Sequence, residues 1–500
     1  MAIDIYDSYK PFRNFLTQFE LVGSLEVIWL YSQHLARKRP LPNGGFRGPA
    51  GFPIRLEKNI FPWDLDVLSR EIILNAGNVG RSNLGNWDDL AVAINHLRRL
   101  DDEISVRRNR EGYDVLRDMH RIVHRQFPWQ RPPNSNGMMR YSKIFGGSGL
   151  EALVATATGL SLRQLYLLGM ASAGHFMNRP GMRIDSDYSV LGVDQRQSQS
   201  FFERLTIDVK DLRRRAKDEQ KYDEDWMYTF NPLRAHPLVR FDAAHPERVL
   251  CPIPEFLMRR VSEGVFYDIA SSAGFSNSFG VSFQKYVAEV AYALCPSPKF
   301  QITDEKEYKV GKYRKDGVDL IIEDESGVIF VECKTKRLRQ DAKFSASGDG
   351  LEQAMDDMAK YVVQHYKNIS DAVAGLTSWK ARSAACFPII VTLEDWWIFG
   401  PTVVELLADR VEDRFNAAHL PQDLLHTMPY TIASIDEFEI ALQIMDQVGI
   451  KLFLSTKNDS EHRTWSVRPF ATNHFPVEAA KVKRNLFEDE WRQLIPSASQ

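Results

Sequence analysis

The chain is poor in cysteine. Cys251, Cys295, Cys333 and Cys386 are the only four in 500 residues, they stand far apart, and none forms a Cys-x-x-Cys pair. That spacing excludes the common zinc and disulfide frameworks and predicts reduced, buried thiols of a cytoplasmic protein. No apolar run is long enough to span a bilayer. Met1-Ala2-Ile3-Asp4 lacks the basic-then-apolar layout of a secretion signal. A soluble cytoplasmic protein with no membrane partner is therefore expected. The net charge is −3, so the chain is not a basic coat for nucleic acid, and such a partner would need a local basic surface. Gly146-Gly147-Ser148-Gly149 is followed by Leu150, so it is neither a phosphate-binding loop nor a nucleophile elbow. Without a phosphate-binding loop the chain carries no recognisable motor. His120 and His124 share a helical spacing but do not form His-Glu-x-x-His, which argues against a metal site there.

What is present is ordinary globular material, 44% hydrophobic and 26% charged, in a length that suggests about two to four domains. The first forty residues carry helical periodicity through Phe12, Phe15, Leu16 and Phe19, then Leu25, Ile28 and Trp29. A Pro/Gly-rich loop over 40–53 interrupts it. Helical patterns resume over Asp64–Ala76 and Trp87–Leu100. A basic run follows, with Arg107, Arg108, Arg110, Arg117, His120, Arg121, His124 and Arg125 beside Phe127 and Trp129. It reads either as the wet face of a helix or as a nucleic-acid contact. Ser161 and Asp194 have N-cap character for helices over Leu162–Met177 and Gln195–Leu205. Pro237–Phe241 and Arg248–Pro252 read as short strands, and Pro254–Tyr267 as a helix.

The informative stretch is Gly317-Val318-Asp319-Leu320-Ile321-Ile322-Glu323, a turn at Asp324–Gly327, then Val328-Ile329-Phe330-Val331-Glu332-Cys333-Lys334. Two Val/Ile-rich runs around a tight turn predict an antiparallel hairpin. Acids inside apolar strands need a reason, because a buried unpaired carboxylate is costly. Alternation puts Glu332 and Lys334 on one face and Cys333 on the other. Pairing brings Asp319 beside Glu332, and two carboxylates so placed suit a hard divalent cation.

Asp followed by Glu-x-Lys on consecutive strands resembles the PD-(D/E)XK nuclease superfamily, over roughly residues 275–400. The resemblance implies a restriction-endonuclease-like α/β core, a mixed sheet flanked by helices. It implies that Asp319, Glu332 and the Cys333 carbonyl hold Mg²⁺, with Mn²⁺ as an alternative, and that Lys334 orients water or stabilises charge on the phosphate. The helix expected over Ser282–Leu294 carries Gln284 where the superfamily commonly has an acid, with Glu289 the nearest acid, and both are auxiliary candidates. On the helix expected over Leu351–Tyr366, Gln353, Asp357 and Tyr361 form a stripe at i, i+4 and i+8, and Gln353 is a third auxiliary candidate. Lys336, Arg337, Arg339 and Lys343 leave the active-site strand as a phosphate-steering surface. Phe300–Thr303 and Glu307–Gly311 read as a first strand, and Cys386–Leu393 as an interior one.

Four regions result: a mainly helical 1–230 for sensing, oligomerisation or nucleic-acid binding; a connecting β/α segment, 231–274; the nuclease core, 275–400; and a smaller α/β extension, 401–500. In the last, Thr402–Asn416 and Ile435–Val448 read as helices and Lys451–Thr456 as a strand. The expected function is Mg²⁺-dependent hydrolysis of phosphodiester bonds in DNA, RNA being the alternative substrate. A helical region on a motorless nuclease core resembles bacterial antiphage-defence effectors and restriction-type or repair enzymes, with a homo-oligomer or a defence-system protein as partner. The competing reading is a nucleic-acid-binding or assembly module with a degenerate site.

Overall fold

The strands fall where short Val- and Ile-rich runs predict them. The structure is a computed structural model that describes residues 4–41, 46–47, 53–77, 83–110, 115–147, 149–304, 306–483 and 485–495, without the side chains of 46, 47, 53, 54, 109, 110 and 115–117. The chain mixes helix and sheet, with helix dominant. It divides into two units: residues 1–115, 125–275 and 489–500, and residues 116–124 and 276–488. The segment expected to connect, 231–274, thus belongs to the first unit. The expected extension belongs, up to residue 488, to the unit that holds the hairpin.

In the first unit, helices Tyr6–Leu16, Leu21–Arg37, Pro62–Asn75 and Trp87–Arg110 share one core through Tyr9, Phe12, Leu25, Leu68, Ile72 and Leu97. An ion pair lies inside it, with Arg70 Nη2 2.7 Å from Glu71 Oε1. Tyr9 donates to Glu71 Oε2 at 2.7 Å, and Arg70 also donates to the Thr229 and Trp226 carbonyls, so both charges are fully partnered, as buried charges require. Ser161 and Asp194 cap their helices as predicted, each in a reciprocal box with Gln164 or Gln197. The two expected strands, Leu238–Arg240 and Arg248–Leu250, join Gly181–Arg183 and Thr206–Asp208 in a four-stranded sheet. The expected Pro254–Tyr267 helix stops at Val261 and gives way to short turns.

The second unit is built on five strands: β1 (Gln301–Asp304), β2 (Leu320–Glu323), β3 (Gly327–Lys334), β4 (Ala385–Thr392) and β5 (Thr431–Ser434), in the order β5-β4-β3-β2-β1. β1, β2 and β3 pair antiparallel, while β3, β4 and β5 pair parallel. Parallel neighbours need a crossover. Helices α2 (Gln340–Phe344) and α3 (Asp349–Val373) connect β3 to β4, and α4 (Pro401–Ala417) lies between β4 and β5. Met355, Met358 and Val362 of α3 pack with Val403, Leu407 and Val411 of α4 and with Ile390 of β4. Helix α1 (Phe275–Leu294) precedes the sheet, and its Tyr286 hydroxyl donates to Glu439 of α5 (Ile435–Val448) at 2.9 Å.

Three expectations are corrected. Only Gln301–Asp304 joins the sheet as first strand; Tyr308–Val310 pairs instead with Tyr313–Lys315 in a separate hairpin. Lys451–Thr456 is not a strand. It lies in helix α6 (Ile450–Lys457), whose buried residues Ile450, Phe453, Leu454 and Lys457 follow the i, i+3, i+4, i+7 spacing of a helix face. The region after 400 supplies β5 to the central sheet and is not a separate extension.

The α2–α3 corner has no room for a side chain at Gly350. A Cβ there would lie 2.7 Å from the Ala342 nitrogen and the Asp341 carbonyl carbon. Backbone cannot swing aside as a side chain can. Gly350→Ala is expected to destabilise the unit by about 1–3 kcal/mol, read as a lowered Tm; an unchanged Tm would refute this close approach.

Candidate active site

The turn that presents the site is fixed by Asp324. Its Oδ1 accepts from Ser326 N at 2.7 Å and Gly327 N at 2.8 Å, and its Oδ2 from Ile450 N at 2.8 Å. The hairpin register is therefore set, with Leu320 opposite Val331 and Glu323 opposite Val328. Continuing it by one step sets Asp319 opposite Glu332. Asp319 itself stands just before β2 rather than inside it, so its carboxylate reaches across and accepts from Cys333 N at 2.6 Å.

Asp319, Glu332, Cys333 and Lys334 are thus brought together as expected. Lys334 Nζ lies 2.5 Å from Glu332 Oε1. Burial works to raise the pKa of Glu332, but His365 and Lys334 outweigh it and hold the carboxyl below its ordinary value. Burial likewise disfavours the charge on Lys334, yet Glu332, with Asp319 and Tyr361, keeps the ammonium above its usual range. A lysine held protonated cannot accept a proton from water. It can stabilise negative charge that develops on a phosphate. The Cys333 thiol is pushed far up by burial and by the two carboxylates, so it is not a nucleophile here.

Helix α3 lies along this strand in matching steps. Glu332 Oε2 faces His365 Nδ1 at 3.5 Å, Lys334 Nζ sits 5.0 Å from the centre of the Tyr361 ring, and Lys336 Nζ lies 3.1 Å from Asp357 Oδ2. Strand residues two apart advance about 6.6 Å and helix residues four apart about 6.0 Å, so three successive pairs stay in register. Gln353 is exposed and donates to Asp357 Oδ1 at 3.5 Å, extending the stripe without joining the acid pair. His365 is the residue that sequence reasoning missed. It lies one further turn along the predicted 353–357–361 stripe, and that spacing was signal enough to find it. Gln284 and Glu289 lie half-buried on α1.

The basic exit differs from expectation. Arg337 forms an ion pair with Glu394, and Lys343 lies 3.7 Å from the same carboxylate. Burial opposes the Glu394 charge, but the two cations outweigh it and bring its pKa down to about 2. Only Lys336 and Arg339 present much of their side chains to solvent, and Arg339 Nη2 stands 3.2 Å from Asp341 Oδ2. The upstream basic run is not a solvated face either. Arg108, His120, Arg121 and His124 are buried, whereas the side chains of Arg110 and Arg117 lie outside the described residues. Within the second unit, Arg121 Nε donates to the Phe344 carbonyl at 2.7 Å, and His120 Nε2 and His124 Nε2 lie 3.2 Å apart. Burial lowers the His120 pKa to about 4 and that of His124 further below its ordinary value, so the pair is neutral near pH 7.

Glu332 Oε2 is buried and has no hydrogen-bond partner. A buried carboxylate oxygen without a donor has the chemistry of a cation ligand, so the donor set fits a divalent ion. Among the described residues no three His, Cys, Asp or Glu side chains form a ready metal cage, so two carboxylates and a carbonyl would have to suffice. No protein-family model, curated protein or solved structure matches the chain. Among the described residues no helix is long and apolar enough to cross a membrane.

Proposed function

We propose that the second unit is a divalent-cation-dependent nuclease with a restriction-endonuclease-like core, acting on phosphodiester bonds of DNA. The observation that carries this is the convergence of Asp319, Glu332 and Lys334 on one hairpin, with Glu332 Oε2 buried and unsatisfied. Asp319, Glu332 and the Cys333 carbonyl would hold Mg²⁺, an ion commonly held by one or two carboxylates together with substrate phosphates. Bound there, the cation would activate water and neutralise charge on the phosphate. Lys334 supplies a fixed positive charge to the transition state, and Glu332 and Tyr361 hold that charge in place. Lys336 and Arg339 meet the nucleic-acid backbone. A cytoplasmic role in bacterial defence against foreign DNA, with the helical first unit as sensor or oligomerisation platform, accords with a nuclease that has no motor.

Purified protein incubated with Mg²⁺ and DNA tests the reading, beside Asp319→Ala and an EDTA control. Cleavage by the wild type that both treatments abolish is expected; cleavage that survives Asp319→Ala removes the assignment. A second reading, binding without cleavage, is favoured by Gln284 in place of an acid. Retention of DNA with no cleavage across Mg²⁺ and Mn²⁺ would establish it.

A further inference from the structure

His365 is almost wholly enclosed, with 1% of its surface exposed. Its Nε2 lies 3.0 Å from the Phe330 carbonyl oxygen. A carbonyl can only accept, so Nε2 carries the hydrogen and the neutral ring presents a bare lone pair at Nδ1. That lone pair faces Glu332 Oε2 across 3.5 Å, and both atoms are buried without a hydrogen-bond partner. Two acceptors facing each other in a dry site require a cation between them.

The separation distinguishes a proton from a metal ion. A charge-assisted N–H···O bond draws its atoms to about 2.7–2.9 Å. A tetrahedral ion about 2.1 Å from each ligand sets them about 3.4 Å apart. An octahedral Mg²⁺, with ligands at about 2.1 Å and right angles between them, needs about 3.0 Å. Imidazole nitrogen also suits zinc-like transition metals and not Mg²⁺.

We propose that Glu332 Oε2 and His365 Nδ1 together bind a divalent transition-metal ion, so that this site takes a zinc-like or cobalt-like ion in preference to Mg²⁺. This rests on the reading of Glu332 as the cation ligand of the nuclease and names the ion it selects. The Phe330 carbonyl fixes the tautomer, as a backbone acceptor commonly does behind a metal-bound imidazole. Asp319 and the substrate remain available to complete the coordination.

The test is titration of the full chain with CoCl₂ and, separately, MgCl₂, for the wild type, His365→Gln and Glu332→Gln. Gln at 365 keeps an amide donor for the Phe330 carbonyl and lacks the ring nitrogen. Co²⁺ affinity is expected to fall by roughly tenfold or more in His365→Gln, with Mg²⁺ affinity changed less than about twofold. In the wild type, Co²⁺ should also shift one exchangeable imidazole proton, the Nε2–H, in the ¹H NMR spectrum; this readout does not depend on a variant folding. Co²⁺ binding that needs Glu332 but survives His365→Gln, or that shifts no imidazole proton, overturns the His365 assignment and leaves the nuclease reading standing. A wild type that binds neither Co²⁺ nor Mg²⁺ overturns both.

Discussion

Replacing Lys334 by Ala is expected to lower metal-dependent DNA cleavage by about 10²–10³-fold, the usual cost of removing one preorganised charge from a phosphoryl- or acyl-transfer site. The geometry says why the loss should be in rate and not in folding. Lys334 is half-buried, and its ammonium lies against Glu332 and over the Tyr361 ring. Its removal frees Glu332 Oε1 but leaves the strand's apolar residues, Val328–Val331, in place. The Tm should therefore stay close to that of the wild type while activity falls. Lys334→Arg retains a positive charge but not the compact ammonium, and should recover little activity. Full activity in Lys334→Ala, together with full activity in Asp319→Ala, would end the nuclease reading.

Glu394→Gln is expected to cost about 3–5 kcal/mol of stability at pH 7, because it leaves Arg337 and Lys343 facing each other in a largely enclosed site without their shared counter-charge. The pH dependence supplies an independent check. The folded-state pKa of Glu394 is depressed to about 2 from an ordinary value near 4.5. A depressed carboxyl contributes stability above its unfolded pKa and loses it as pH falls through the folded one. The contribution, about 3 kcal/mol at neutral pH, is thus withdrawn between about pH 4.5 and pH 2. Urea unfolding of wild type and Glu394→Gln should show a gap at pH 7 that narrows markedly by pH 3. A gap of equal size at both pH values would show that packing, not charge, holds this corner together.

Much of the hairpin was legible because its signals are local. Val and Ile runs around Asp324–Gly327 carry strand and turn in ten residues, and β4 is an unbroken apolar run. Ser161 and Asp194 announce their helices through reciprocal capping partners three residues on. What escaped depends on distant partners or on a choice between periods. Ile450–Lys457 contains Ile, Leu, Phe and Thr in a short run that suits a strand, and only its burial on a 3.6-residue period shows a helix. Thr431–Ser434 is four residues long and is a strand because β4 lies beside it. Arg337 and Lys343 look like a phosphate-binding exit until Glu394, some fifty residues later in the chain, is placed between them. His120 and His124 look like part of a solvated basic stripe, yet they lie buried in the second unit.

The anchoring of the hairpin turn has a consequence for biosynthesis. Asp324 holds the turn from within, but its second oxygen is satisfied by Ile450 N, and the parallel edge of the sheet is completed by Thr431–Ser434. A nascent chain that has emerged only through Lys334 already contains Asp319, Glu332 and Lys334. It still lacks the edge strand and the helix terminus that steady them. The catalytic hairpin is thus translated early and matured late, and a ribosome-bound intermediate shorter than residue 450 would carry the reactive side chains without the scaffold that aligns them.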